Sequence, residues 1–401
     1  MRILLVTEAL VLGGAETFVL RLARRLRQDG HTADVLCLNP DHEDARLVGQ
    51  FPDVPIQRVP LAGLRTLKRA DRVGRMLGVD LDLQQRRAAR WVERYLIGRH
   101  DIHHTHLFGA DWLFTRLKRR RPGMKIVSTL HGDYALYEER AKGTERTQIL
   151  HWRTKLAETI RAIDRWVTIS RAQHRQFETL FGVDSRRLVD ITNGYAPPAP
   201  LPSVSRRADA PLTFVMVARG MREKGWGFLI DAFKRLDGNC RLMLVGEGAF
   251  LDTLRTRHGD YARIDFAGVH PNPVELIGRC EVFVHPSIYK AESLPTVIVE
   301  ALFAGLPVIA TDVGEVATML AAPSGELAGT LVSPDEATLT DQLAAAMQAY
   351  LDDPALRRRH AALARAAFAK FDMGKCAAAY ARLYAEVTGG TPSSSSISAS
   401  H

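Results

Sequence analysis

Two glutamates in the second half of the chain carry the strongest chemical signal. Glu292 and Glu300 are separated by seven residues in the string Ser287-Ile-Tyr-Lys-Ala-Glu292-Ser293-Leu294-Pro295-Thr296-Val-Ile-Val-Glu300. Pro295 suits the first turn of a helix, where a missing N–H costs nothing. Glu292 is then expected in a strand-to-helix loop, with Glu300 about one turn into the helix. The unpaired N–H groups around Leu294–Val297 would favour a phosphate. An isolated glutamate pair is more often a solvated helix start, and it is the longer string that argues for a site. Histidines form a second candidate group, in Asp101-Ile-His103-His104-Thr-His106. His104 and His106 share a strand face, but no third ligand is apparent nearby, so no metal is expected. Gly246-Glu-Gly248-Ala-Phe-Leu251 follows a strand and precedes a helix. It nearly makes a dinucleotide fingerprint, but Leu251 stands where the third glycine belongs, which argues against NAD.

The elements that would carry these residues follow one repeated plan. Arg2–Val6 is a short apolar run, as a fully buried parallel strand requires. After Gly13-Gly14, the residues Ala15, Phe18, Val19, Leu22, Ala23 and Leu26 recur on one helical face. Gly30 suits the helix end, and Ala33–Leu38 the next strand. Further strands are expected at Asp101–Leu107, Lys125–Thr129, Trp166–Ile169 and Leu188–Thr192. Four prolines within Tyr195–Ser205 mark a stiff linker. The plan then restarts, with strands at Thr213–Ala218, Arg241–Gly246, Arg263–Ala267, Glu281–His285 and Pro307–Thr311. Helices are expected at Phe228–Leu236, Phe250–His258, Pro273–Gly278 and Thr296–Ala304. The reading is an α/β chain: residues 1–197 form one domain and 198–371 a second. A helix over about 372–388 packs back on the first, and a Ser-rich tail at 389–401 is disordered.

Composition bounds the function. The chain has 401 residues, 46% hydrophobic and 25% charged, which excludes a disordered or fibrous protein. No run reaches the ~20 apolar residues of a membrane-spanning helix. Glu8 interrupts the apolar N-terminus, which lacks a cleavage site, so it reads as a strand and not a signal peptide. The four scattered cysteines fit reduced thiols and a cytoplasmic location. Residues 1–200 hold 34 Lys+Arg against 23 Asp+Glu, whereas 201–401 hold 20 against 22. The basicity of the first half, notably Leu64–Met76 and Arg116–Arg121, suggests an acidic partner there. Solvated helix faces are the alternative. Nucleic acid is disfavoured because the basic runs lack interleaved aromatics.

Seven short motifs stand in order along the chain: Gly13-Gly14-Ala-Glu16-Thr; Thr129-Leu-His131-Gly; Val167-Thr-Ile-Ser170; Asn193-Gly194; Val217-Ala-Arg219 with Lys224-Gly225; Leu244-Val-Gly246-Glu-Gly248; and Glu292 with Glu300. In this order and spacing the chain resembles the retaining glycosyltransferases of family 4 (group 1), from its start to about residue 388. The resemblance implies the GT-B architecture, two Rossmann-like doubly wound domains facing each other across a cleft. It assigns chemistry to His131, Arg219, Lys224 and Glu292. It assigns donor binding to Gly13, Gly14, Arg219, Lys224, Gly246, Glu292, Ser293, Leu294, Pro295, Thr296 and Glu300. Glu300 would accept hydrogen bonds from ribose hydroxyls and Glu292 from the donor sugar. Arg219 and Lys224 would hold the diphosphate, and Gly14 would allow close approach. His131 would point near the reacting carbon; the alternative is a satisfied strand-end histidine. One departure stands out. Where the family has Gly-Gly-x-x-Glu, this chain has Gly314-Glu315-Val-Ala-Thr318.

The expected activity is that of a metal-independent retaining hexosyltransferase using a nucleotide sugar and no other cofactor. The acceptor would be a saccharide, lipid-diphosphate-linked, in bacterial surface-polysaccharide assembly. Peripheral contact with an anionic membrane on its cytoplasmic face is expected. The rivals are an epimerase of the same fold, which would convert donor without acceptor, a Rossmann oxidoreductase, and a non-catalytic basic binding protein.

Overall fold

The structure is a computed structural model and describes residues 1–60, 64–77, 79, 81–131, 146–197, 210–270, 272–289 and 292–390. The chain folds as two compact units, Met1–Gly194 with the segment from Met373 onward, and Tyr195–Asp372.

The first unit is built on a parallel sheet of seven strands: β1 (Arg2–Thr7), β2 (Thr32–Cys37), β3 (Ile56–Arg58), β4 (Ile102–His106), β5 (Ile126–Leu130), β6 (Arg165–Thr168) and β7 (Leu188–Asp190). Their order is β3-β2-β1-β4-β5-β6-β7. Inner strand β1 reads as an unbroken apolar run, as a covered parallel strand usually does, whereas the equally buried β4 is Ile-His-His-Thr-His. Ile3, Leu4, Leu5 and Val6 of β1 are wholly buried. The helix Gly14–Gln28 buries Phe18, Val19, Leu22, Ala23 and Leu26 as its periodicity demands. The helix Met373–Thr388 also belongs to this unit and buries Tyr380 and Tyr384.

The second unit repeats the design with six parallel strands: β8 (Leu212–Val217), β9 (Cys240–Val245), β10 (Ile264–Gly268), β11 (Val282–His285), β12 (Val308–Thr311) and β13 (Gly329–Val332), in the order β10-β9-β8-β11-β12-β13. In each sheet the order reverses once, between β1 and β4 and between β8 and β11. Open α/β sheets bind ligands beyond the carboxyl ends of the strands at such a reversal.

Some expectations need correction. The division falls at 194/195, three residues before 197/198. Tyr195 belongs to the second unit because its N–H donates to Phe371 O at 2.7 Å and its ring packs on Phe303 and Phe368. The final helix begins at Met373. The helix expected at Phe228–Leu236 runs from Trp226 to Phe233, because Gly225 in the left-handed region ends the preceding turn. The edge strands β3 and β13 carry no run long enough to announce them. The Ser-rich tail from Thr391 onward, and residues 198–209 of the linker, lie outside the described residues.

Candidate active site

In the second unit the site is assembled by two loops at the strand-order reversal. The first leaves β8 through Arg219 and a tight turn, Arg222–Lys224. Gly225 closes that turn at φ +83°, and a side chain there would meet Pro286 O at 1.9 Å. Only glycine satisfies both demands. The close approach places Lys224 over the loop leaving β11. Glu223 O fixes this contact by accepting the Ile288 N–H at 2.8 Å.

There Lys224 Nζ donates to Glu292 Oε2 at 2.5 Å, and Ser287 Oγ donates to the same oxygen at 2.9 Å. Both partners of the ion pair are nearly buried, with side-chain exposures of 9% and 11%. The ammonium also lies 4.8 Å from the centre of the Tyr289 ring. His285 Nε2 is 3.6 Å from Glu292 Oε2, beyond hydrogen-bond length. Burial alone would raise the Glu292 carboxyl. The His285 ring and the Lys224 ammonium overrule it and hold the group at about 2. At neutral pH Glu292 is therefore a carboxylate, able only to accept hydrogen bonds.

The remaining donor candidates cluster on the same loops. Pro295 caps the helix Thr296–Phe303, in which Glu300 is buried at 7% exposure. Ser293 O accepts the Glu315 N–H at 2.9 Å. A side chain on Gly314, at φ +56°, would meet Glu292 O at 2.2 Å, which explains the glycine. Glu315 sits at φ −98° and ψ 15°, open to any residue, so the departure from the second glycine costs no strain. Gly246 lets β9 pass close to Ala218 O, which a side chain would meet at 2.1 Å. Arg219 is exposed and has no ion-pair partner among the described residues.

In the first unit Gly13 caps the helix that opens with Gly14, its carbonyl accepting the Thr17 hydroxyl at 2.7 Å. His131, just beyond β5, is partly buried. His106 Nδ1 lies 2.8 Å from His131 Nε2 in a hydrogen bond, and the rings stack at 5.1 Å. The His104 ring packs against that of His106, centres 4.1 Å apart and planes tilted by 43°. The histidines thus bond and stack with one another, and no metal-binding group of three occurs among the described residues. Burial pushes His131 down to about 3, and His104 and His106 well below the ordinary range. All three are neutral. Sequence reasoning missed Ser287, His285, Tyr289, Tyr380 and Tyr384. Only Ser287 carried a signal, its place at the head of the Glu292 string.

The basic run that ends the helix Phe108–Arg120 proves largely neutralised. Arg116 pairs with Asp82 at 2.7 Å, Lys118 with Asp164 at 2.6 Å, and Arg120 with Glu93 at 2.9 Å. Arg119 pairs with Glu158, and Arg121 lies 3.8 Å from Glu93. No helix among the described residues is long and apolar enough to cross a membrane.

The chain is similar in sequence and in fold to known proteins. Residues 12–197 match the family described as Glycosyltransferase Family 4, and residues 201–367 match Glycosyl transferases group 1. The chain is 26% identical to a D-inositol 3-phosphate glycosyltransferase of Xylanimonas cellulosilytica, over 94% of this chain and 92% of that one. It is 27% identical to a phosphatidyl-myo-inositol mannosyltransferase of Mycolicibacterium smegmatis, over 94% and 91%. Among solved structures, Anabaena Alr3699/HepE in complex with UDP and glucose superposes with a TM-score of 0.73 at 19% identity, covering 96% of this chain and all of that one. Sucrose-phosphate synthase of Thermosynechococcus elongatus gives 0.71 at 19%, over 97% and 99%. The fold is of the GT-B type. The chain belongs to the group 1, or family 4, glycosyltransferases and is a glycosyltransferase.

Proposed function

We propose that this enzyme moves a hexose from a UDP- or GDP-sugar to a saccharide acceptor, with retention at the anomeric carbon and without a metal. The observation that carries the reading is the nearly buried Lys224–Glu292 pair at the strand-order reversal of the second sheet. The UDP and glucose held by Alr3699/HepE support a nucleotide-sugar donor. A bound diphosphate would draw Lys224 from Glu292 and free that carboxylate for hydroxyls of the donor sugar. Glu300 would accept from the ribose hydroxyls. Gly13, Gly14, Gly246 and the backbone from Ser293 to Thr296 would admit the diphosphate closely, and His131 would face the sugar. The bond from C1 to the diphosphate oxygen breaks as the acceptor oxygen bonds C1 on the same face. The acceptor proton passes to the departing phosphate. Arg219 and Lys224 then stabilise charge that grows in the transition state.

The acceptor in this reading is lipid-linked and belongs to bacterial surface-polysaccharide assembly. The relative acting on phosphatidyl-myo-inositol supports a lipid-borne acceptor. Peripheral contact with anionic lipid on the cytoplasmic face would follow from the basic first half, weakened by its ion pairs.

A thermal-shift panel of UDP-, GDP- and ADP-sugars tests the donor class. A ligand at 100 times its Kd adds roughly 2.7 kcal/mol of stability. Stabilisation by a UDP- or GDP-sugar, turnover surviving EDTA, and a product anomer matching the donor by NMR are expected. No stabilisation by any nucleotide sugar, an inverted product, or turnover of donor without acceptor would overturn the reading.

A further inference from the structure

The histidines of the first unit form a chain anchored by its last helix. Tyr384 OH bonds His104 Nδ1 at 2.6 Å. His104 Nε2 bonds Thr129 Oγ1 at 2.8 Å, and that oxygen bonds Tyr380 OH at 2.8 Å. The His104 ring is thus held at both nitrogens, and the Tyr380 ring lies 5.0 Å from it. A fixed, fully buried platform results. His106 lies on it, and Phe18 packs against both His106 and His131, at 6.2 and 5.4 Å.

The bond between His106 Nδ1 and His131 Nε2 has one proton, and its owner can be deduced. Both rings are neutral, so each carries a single N–H. Suppose His131 Nε2 donates. The proton of His106 must then sit on Nε2. That atom is buried and has no hydrogen-bond partner among the described residues. A buried N–H with nothing to receive it is rarer and costlier than a bare acceptor. Suppose instead that His106 Nδ1 donates. Then only a lone pair is left unpaired at His106 Nε2, and the proton of His131 must sit on Nδ1. The second arrangement is favoured.

We infer that His106 is a positioning residue that holds His131 as its Nδ1–H tautomer, and that Tyr380 and Tyr384 hold His106 in place through His104. His131 then offers a fixed, uncharged hydrogen-bond donor. Its nitrogen facing His106 is spent, so it serves as a donor to a hydroxyl or phosphate oxygen and not as a proton acceptor. The consequence for turnover rests on the reading of His131 under the proposed function; the tautomer does not.

The test uses the full chain labelled with 15N-histidine. The His131 signals are those lost in His131→Ala. In the parent, the protonated nitrogen of His131 should be Nδ1. In His106→Phe, which keeps a ring in the stack, it should move toward Nε2, the form free imidazole favours in water. Turnover of the same variant should fall about tenfold in kcat, as expected for one lost hydrogen bond, with the donor KM within twofold. His106→Asn, whose amide reaches where Nδ1 stood, should recover most of this. Tyr384→Phe should lower kcat by roughly two- to fivefold. Tyr350→Phe is the matched control. It removes a similar bond, Tyr350 OH to His360 Nδ1 at 2.6 Å in the second unit, and should lower Tm while leaving kcat unchanged. A parent His131 protonated at Nε2 overturns the inference. So does an unchanged kcat in a folded His106→Phe, or an Asn variant no better than Phe. If His106→Phe does not fold, the parent spectrum and Tyr384→Phe decide. Full activity in His131→Ala would defeat the catalytic reading of His131 and leave the tautomer to the spectrum.

Discussion

The two units present their candidate residues on the same sheet design with opposite electrostatics. Beyond β11 the site is ionic: Lys224 and Glu292 lie 2.5 Å apart, with Glu292 held at about 2. In β4 and just beyond β5 it is neutral: His104, His106 and His131 are all pushed below their ordinary range by burial. A diphosphate brings its own charge and needs fixed cations. A sugar brings only hydroxyls, for which neutral donors suffice at a smaller desolvation cost. The contrast also predicts how each half fails. A broken ion pair leaves an unpaired buried charge, whereas a broken neutral bond leaves only an unpaired polar atom.

The largest effect should therefore fall on the ion pair. Glu292→Gln or Lys224→Met should each cost roughly 3–5 kcal/mol of stability at pH 7. Lys224→Met with Glu292→Leu should be more stable than either single variant, yet inactive. A double variant no more stable than the singles would break the contrast. The contribution has a defined pH range. The folded-state value of about 2 lies below the ordinary glutamate value of 4.5, so the stabilisation is complete above about 4.5 and fades as pH falls toward 2. In urea unfolding, the gap between parent and Glu292→Gln should narrow over that range and stay constant above it. A gap that widened with acid would contradict the pairing.

Arg219 sharpens the comparison because it is exposed and has no ion-pair partner among the described residues. Arg219→Ala should leave Tm unchanged and lower kcat by about 10²–10³. An effect confined to KM would mean uniform binding and not transition-state stabilisation. Glu300→Ala should weaken the free nucleoside diphosphate by roughly 10–100-fold in calorimetry, the loss of charge-assisted bonds to ribose. Unaltered nucleotide affinity would remove that role.

The smallest effect is expected at the first unit's surface. Each basic residue near an anionic membrane is worth about 1 kcal/mol, and the ion pairs of Arg116–Arg121 lessen it. Liposome binding should be weak, need anionic lipid and fall steeply with salt. Changing Arg119, Arg120 and Arg121 to Glu should abolish it and spare turnover of a short soluble acceptor. Equal binding to neutral liposomes would reduce the basic run to a solvated face.

The sequence by itself determined the repeated plan, because most covered parallel strands are near-continuous apolar runs, although the buried β4 is mostly polar. Ile3–Val6 and Val282–Val284 announce themselves for that reason. It also determined the Glu292–Glu300 string, since capping and helix spacing are local. Other matters were decided only by the tertiary structure. Lys224 and Glu292 are 68 positions apart and meet because Gly225 admits Pro286 at close range. The five cations of Arg116–Arg121 looked free until folding brought carboxylates from as far as 46 positions away. His104 and Tyr384 are separated by 280 positions. No local pattern could show that the last helix bonds to the histidines of β4, because chain entropy makes each such contact improbable until the whole core forms.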